Sequence, residues 1–135
     1  MSTSEVPVIS VVDDDPSVVE GLVSLMESVG YEAAGFSSAE AFLNSASSGK
    51  TGCLILDVRM PGMGGLELQR RLAAQVDQTP IIFITAHSGQ EMSAEALRRG
   101  AVAFLRKPFS QESILEAVQS ALARRAGPSV HEGQP

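Results

Sequence analysis

Polar residues stand where apolar runs stop. Val8-Ile9-Ser10-Val11-Val12 leads into Asp13-Asp14-Asp15, and Cys53-Leu54-Ile55-Leu56 leads into Asp57. Ile81-Ile82-Phe83-Ile84 leads into Thr85, and Val102 to Leu105 leads into Arg106-Lys107. Carboxylates brought together repel one another and hold their protons more tightly unless a cation joins them. Oxygen donors of this kind suit Mg²⁺, which keeps several waters and takes one or two protein carboxylates plus a phosphate oxygen. None of the polar ends contains His or Cys, the ligands that argue for zinc. Lys107 adds a compact positive charge suited to a phosphate oxygen. The set fits an anion together with a hard metal better than a dinucleotide.

Taken one at a time, these residues have plainer uses. Asp15 reads as a helix cap, and Asp13 or Asp14 alone as a cap or turn residue. Asp57 stands just before Met60-Pro61-Gly62 and has the lesser reading of a turn opener; Thr85 alone is an ordinary strand-end threonine, and Lys107 a solvated lysine. Cys53 lies in an apolar run and reads as packing rather than as a nucleophile. His87 reads as a loop residue, His131 as part of a tail, and the five Met residues are scattered. The argument for a site is convergence, and convergence depends on the elements that carry these residues.

The runs are apolar on both faces, as parallel strands covered by helices must be. Two weaker strands are predicted at Tyr31 to Phe36 and Val102 to Leu105. Asp15-Pro16 starts a helix, with Asp15 as N-cap and Pro16 at the first helical position. Val18, Val19, Leu22, Met26 and Val29 follow at helical spacing, and Gly30 ends it. Further helices are predicted over Ser38 to Ala46 (core Ala41, Phe42 and Ala46), Gly65 to Ala74, Gln90 to Arg99 with a stop at Gly100, and from Ser110. The last carries Ile114, Leu115, Val118 and Leu122, and Arg124 and Arg125 suit its terminal dipole. Alternation of strand and helix implies a parallel sheet covered on both faces. The prediction is a flavodoxin-like (βα)5 doubly wound α/β fold with five parallel strands in the order 2-1-3-4-5. In such sheets ligands bind beyond the carboxyl ends of the strands, where all the polar ends fall.

Bulk properties narrow the classes. A chain of 135 residues with 44% hydrophobic and 19% charged residues matches one globular domain. A net charge of −6 argues against a nucleic-acid surface, which needs clustered Lys and Arg. A single cysteine excludes an internal disulfide. No apolar run has the length of a membrane span and no signal peptide is recognised, so the expected compartment is the cytoplasm. Residues 1–126 are read as one domain and 127–135 as a polar tail or the start of a linker.

The residues Val11-Val12-Asp13-Asp14-Asp15, Leu56-Asp57-Val58-Arg59-Met60-Pro61-Gly62-Met63-Gly64-Gly65, Ile84-Thr85-Ala86 and Gly100-Ala101-Val102-Ala103-Phe104-Leu105-Arg106-Lys107-Pro108-Phe109 together resemble the receiver domain of two-component response regulators. Order and spacing agree over about residues 7 to 125. Ser37-Ser38-Ala39-Glu40-Ala41-Phe42-Leu43 and the Lys-Pro-Phe segment look most like the FixJ type. The resemblance implies a phosphoacceptor signalling domain rather than an enzyme with a separate substrate. Asp57 is then the phosphoacceptor. Asp14 ligates Mg²⁺ (or Mn²⁺) directly, Asp13 acts mostly through bound water, and the Arg59 carbonyl is the third protein ligand. Thr85, the Ala86 amide and Lys107 bind phosphoryl oxygens. Thr85 and Phe104 form the switch, Arg59 and His87 tune the lifetime of the phosphorylated state, and Lys107-Pro108 is cis. The implied partners are a sensor histidine kinase and a second copy through the fourth helix and fifth strand. No nucleic acid or membrane partner is implied for this domain itself. FixJ-type regulators continue into a helix-turn-helix domain, which this sequence does not contain; it reads as a fragment of a transcriptional regulator or as a stand-alone receiver.

Three rivals remain at this level. A pseudo-receiver would keep the fold without phosphorylation, but every site position is filled. A nucleotide- or flavin-binding domain would want a Gly-rich first turn, which is acidic here. A phosphatase of similar fold would carry its Asp nucleophile in a D-x-D motif on the first strand, which is absent.

Overall fold

The computed structural model describes residues 7–45, 50–75, 78–86 and 90–126. Five strands and five helices alternate: β1 (Val8–Val12), α1 (Pro16–Ser28), β2 (Glu32–Phe36), α2 (Ala39–Leu43), β3 (Thr51–Asp57), α3 (Gly65–Ala74), β4 (Ile81–Thr85), α4 (Gln90–Arg98), β5 (Ala103–Arg106) and α5 (Gln111–Ala126). The strands form one parallel sheet in the order β2-β1-β3-β4-β5, as the alternation predicts. β3 lies in the middle and is buried along its whole length, which explains the apolar run Cys53-Leu54-Ile55-Leu56 between Thr51 and Asp57.

Alternation along the strands divides the core between the two faces. Ile9, Val11, Cys53, Ile55, Ile82 and Ile84 pack with Leu22 and Met26 of α1 and Ile114, Val118 and Ala121 of α5. Val12, Leu54, Leu56, Ile81 and Phe83 pack on the opposite face with Phe42 of α2, Leu68 and Leu72 of α3 and Ala96 of α4. Burial of this many apolar side chains, each worth roughly 1.5–3 kcal/mol, is the main force holding the layers together.

The helix ends follow local chemistry. Asp15 caps α1 by accepting the Ser17 N–H, with Pro16 at the start. Gly30 and Gly100 close their helices with φ of 100° and 101°, a conformation that costs residues with a Cβ. Lys107-Pro108 is cis.

Several expectations need correction. Val29, placed on the helical period of α1, is its C-cap rather than a helical residue and is 49% exposed. α2 is only five residues long; Ser38 is its cap rather than its first residue, Ala41 faces solvent, and Ala39 is buried in its place. Of the apolar residues carried by α5, Ile114 and Val118 are buried, and Leu115 and Leu122 are half-buried at the rim of the core. α4, Gln90–Arg98, agrees with the predicted span of about Gln90 to Arg99. Ala46, His87, His131 and the tail 127–135 lie outside the described residues. Among the described residues no helix is long and apolar enough to cross a membrane.

Candidate functional site

The site is assembled at the carboxyl edge of the sheet. Asp57 is the last residue of β3, Asp13 follows β1, and Lys107 follows β5. Each continues the alternation of Val11, Ile55 and Leu105, so all three belong to the side of the sheet covered by α1 and α5. β1 and β3 are direct neighbours, which brings the two acids together. Lys107 is held against the end of β4 by its own N–H, which donates to the Thr85 carbonyl at 2.7 Å.

Asp13 is fully buried and both of its oxygens are engaged. Its Oδ1 accepts the Asp15 N–H at 2.9 Å, and its Oδ2 accepts from Lys107 Nζ at 2.8 Å. The same ammonium lies 3.8 Å from Asp57 Oδ1. Asp14 is exposed and turns no oxygen to Lys107 within ion-pair distance. One carboxylate oxygen from each of Asp13, Asp14 and Asp57 lies within 4.8 Å of the others.

Electrostatics at Asp57 follow from this crowding. Burial, and then the neighbouring Asp13 carboxylate, push its pKa from 3.8 up to about 6, while Lys107 and the backbone N–H of Arg59 work in the opposite direction. A single ammonium does not neutralise three acids. The residues therefore fit a divalent cation: hard oxygen donors, one of them buried and ordered, one exposed, and one made proton-hungry by its neighbours. Asp15, the third acid of the run, is instead held low by its hydrogen bonds with Ser17, as a cap should be.

Thr85 is buried at the end of β4 and continues the alternation of Phe83, so it faces the α3 and α4 side. Phe104 is paired in register with Phe83, and the two rings lie 6.0 Å apart at 39°. Thr85 and Phe104 thus share the opposite face from Asp13, Asp57 and Lys107. Ala86 follows β4 and is exposed; Arg59 is exposed in the loop after β3. Of the positions named from the sequence, Asp13, Asp14, Asp57, Arg59, Thr85, Ala86 and Lys107 lie at or just beyond the carboxyl ends of the strands, Phe104 lies inside β5 beside Phe83, and His87 is not among the described residues.

The sequence reading missed two buried polar contacts. Gln69 of α3 is 4% exposed and donates to the Ala96 carbonyl of α4 at 3.2 Å, while its Oε1 has no partner among the described residues. Ser10 bonds Thr51 across β1 and β3 at 2.8 Å. A hydroxyl inside each of two adjacent apolar strands was the available signal for the second; nothing local marks the first.

Comparison with known proteins places this geometry. Residues 9–119 match the response regulator receiver domain family. The chain belongs to that family. The response regulator protein TmoT of Ectopseudomonas mendocina is 48% identical over 128 residues, covering 95% of this chain and 57% of TmoT. The structure of the response regulator StyR superposes with a TM-score of 0.84 at 46% identity, covering 91% of this chain and 62% of StyR. The structure of FixJ-N does so with a TM-score of 0.78 at 38% identity, covering 86% of this chain and 93% of FixJ-N. The receiver chain thus spans little more than half the length of the curated relatives it matches. It is a signalling domain with a FixJ-like sequence and the doubly wound receiver fold.

Proposed function

We propose that this receiver takes a phosphoryl group from a phosphohistidine of a sensor histidine kinase onto Asp57. The bond between imidazole nitrogen and phosphorus breaks, and a bond between an Asp57 carboxylate oxygen and phosphorus forms. The observation that carries the reading is the meeting of Asp13, Asp14 and Asp57 within 4.8 Å beside Lys107. Phosphoryl transfer of this kind depends on positioning and charge neutralisation more than on covalent chemistry by other groups.

Asp14, Asp57 and the Arg59 carbonyl would hold Mg²⁺, with Mn²⁺ as a substitute, and Asp13 would act on it mostly through water. This division is supported by the pairing of both Asp13 oxygens and the exposure of Asp14. When bound, Mg²⁺ supplies the positive charge that offsets repulsion between the acids and an incoming phosphoryl group. Lys107 keeps its ammonium within reach of Asp57 and meets one phosphoryl oxygen; Thr85 and the Ala86 N–H meet the others. The product is an acyl phosphate that water hydrolyses, so the signal is temporary.

Output follows from the sidedness of the sheet. Thr85 responds to the phosphoryl oxygens, Phe104 fills the space Thr85 leaves, and the α4 and β5 surface changes. That surface carries the exposed Leu97 with Arg98 and Arg99, a mixture suited to a reversible symmetric dimer. The receiver unit is residues 1–126, and 127–135 begin a linker to a DNA-binding region through which transcription is controlled.

Incubation with Mg²⁺ and acetyl phosphate should add one phosphoryl group at Asp57, read by intact mass and peptide mapping. Asp57→Asn should abolish it, and full labelling of that variant would sink the assignment. Asp14→Ala should weaken Mg²⁺ binding far more than Asp15→Ala, which removes a helix cap worth about 1 kcal/mol. Sedimentation with beryllofluoride bound should show a partial shift to dimer; an unchanged monomer at high concentration would remove the dimer from the proposal.

A further inference from the structure

The loop between β3 and α3 carries Arg59, Met60, Pro61, Gly62, Met63 and Gly64, and is tied down at two points. At its base the Gly65 N–H donates to the Val58 carbonyl at 2.9 Å. At its far side the Met63 N–H donates to Oε2 of Glu40 at 3.1 Å, a contact between residues 23 apart in sequence. Glu40 is the second residue of α2, and nothing in the catalytic set accounts for it.

The surroundings make Glu40 a fixed point. α2 is anchored on one side of Glu40 by Ala39 and on the other by Phe42, both buried, and the Phe42 ring meets Phe36 of β2 edge-on with centroids 5.6 Å apart. The Phe36 carbonyl in turn accepts the Asp13 N–H at 3.1 Å. One chain of contacts therefore runs from the acidic turn after β1, through Phe36 and Phe42, to Glu40, and back to the loop that bears Arg59. Gly62 lets the loop approach: its φ is +78°, and a Cβ there would stand 2.9 Å from Glu40 Oε2. Charge-assisted bonds from a carboxylate to a backbone N–H are among the stronger hydrogen bonds.

We infer that Glu40 is a positioning residue for the metal loop: by holding the Met63 N–H it sets where the Arg59 carbonyl stands relative to Asp14 and Asp57. The inference rests on the reading that this carbonyl ligates Mg²⁺. Groups that orient ligands commonly change metal affinity by 10–100-fold when removed, and an exposed carboxylate belongs at the lower end of that range.

The test uses the whole chain with three variants. Glu40→Ala removes the acceptor; Glu40→Gln keeps an acceptor oxygen and removes the charge; Gly62→Ala displaces the carboxylate from the other side. Amide exchange at Met63 in Mg²⁺-free protein reads the bond itself, and calorimetric titration with Mg²⁺ reads its consequence. Glu40→Ala should speed Met63 exchange and weaken Mg²⁺ binding, each by about tenfold, with Gly62→Ala following it. Glu40→Gln should stay within about threefold of the parent in both, since only a screened charge is lost. Unchanged exchange and affinity in Glu40→Ala would overturn the inference. Equal weakening by Glu40→Gln and Glu40→Ala would also overturn it, by showing that charge rather than the bond is responsible. Absence of Mg²⁺ binding by the parent chain would remove the metal reading instead, and Met63 exchange would then still report on the bond.

Discussion

β1 and β3 share two buried polar contacts, and the two behave differently. Ser10 in the middle of β1 and Thr51 at the start of β3 are joined by a neutral hydrogen bond of 2.8 Å, both side chains closed off from water. At their carboxyl ends Asp13 and Asp57 bring two acids together with one ammonium between them. The first pair is satisfied within the protein and stabilises the sheet. The second holds more negative charge than Lys107 neutralises, and its oxygens are placed so that they could hold a metal ion. Burying a polar group is structural when its partners are complete and becomes functional when one partner must come from outside.

The contrast can be broken most strongly at Lys107. Lys107→Met leaves Asp13 fully buried without its ammonium, and should cost on the order of 2–4 kcal/mol at neutral pH in Mg²⁺-free urea denaturation. A loss no greater than that of an ordinary surface substitution would show that the ion pair does not support Asp13. Thr51→Val removes the hydroxyl bond at the other end and should cost about 1–2 kcal/mol, with no dependence on pH or Mg²⁺. Adding Ser10→Ala to it should recover part of the loss, because the remaining hydroxyl no longer needs a partner.

Asp57→Asn should act in the opposite direction. The folded pKa of Asp57 is raised from 3.8 to about 6. The folded state therefore binds its proton more tightly than the unfolded state. That contribution is fully present below about pH 3.8 and is lost as pH rises through about 6. Without Mg²⁺ at about pH 7.5, Asp57→Asn should be more stable than the parent by about 1 kcal/mol after allowance for solvent screening, a Tm increase of roughly 3–6 °C. The gap should close near pH 4. An equal gap at both pH values would mean that something other than Asp57 ionisation separates the variants. The smallest expected effect is at Cys53, between the two polar contacts on β3. Burial pushes its thiol up to about 12, so the native chain should resist iodoacetamide and react only when unfolded. Rapid alkylation of the native chain would show that this stretch of β3 opens.

The sequence by itself determined the strands, their parallel arrangement and the gathering of acids and Lys107 at one edge of the sheet. Runs such as Cys53-Leu54-Ile55-Leu56 are legible because burial on both faces leaves no polar position, and a polar residue ending each run marks the ligand-binding edge. Helix α1 was legible from Asp15, Pro16 and Gly30, since caps act locally. Other features were decided only by tertiary structure. Five residues of α2 are too short to carry a helical period, so which of Ala39 and Ala41 is buried depends on the angle at which the helix meets the sheet. Val29 kept the spacing of α1 but fell beyond its last turn. The sequence placed Asp13, Asp14, Asp57 and Lys107 at one edge, whereas the pairing of Lys107 with Asp13 in preference to Asp57 depends on where the ends of β4 and β5 stand. The contacts of Gln69 with Ala96 and of Glu40 with Met63 join residues 27 and 23 positions apart. No local propensity encodes such contacts, because each exists only once two separately formed elements have been packed against the same sheet.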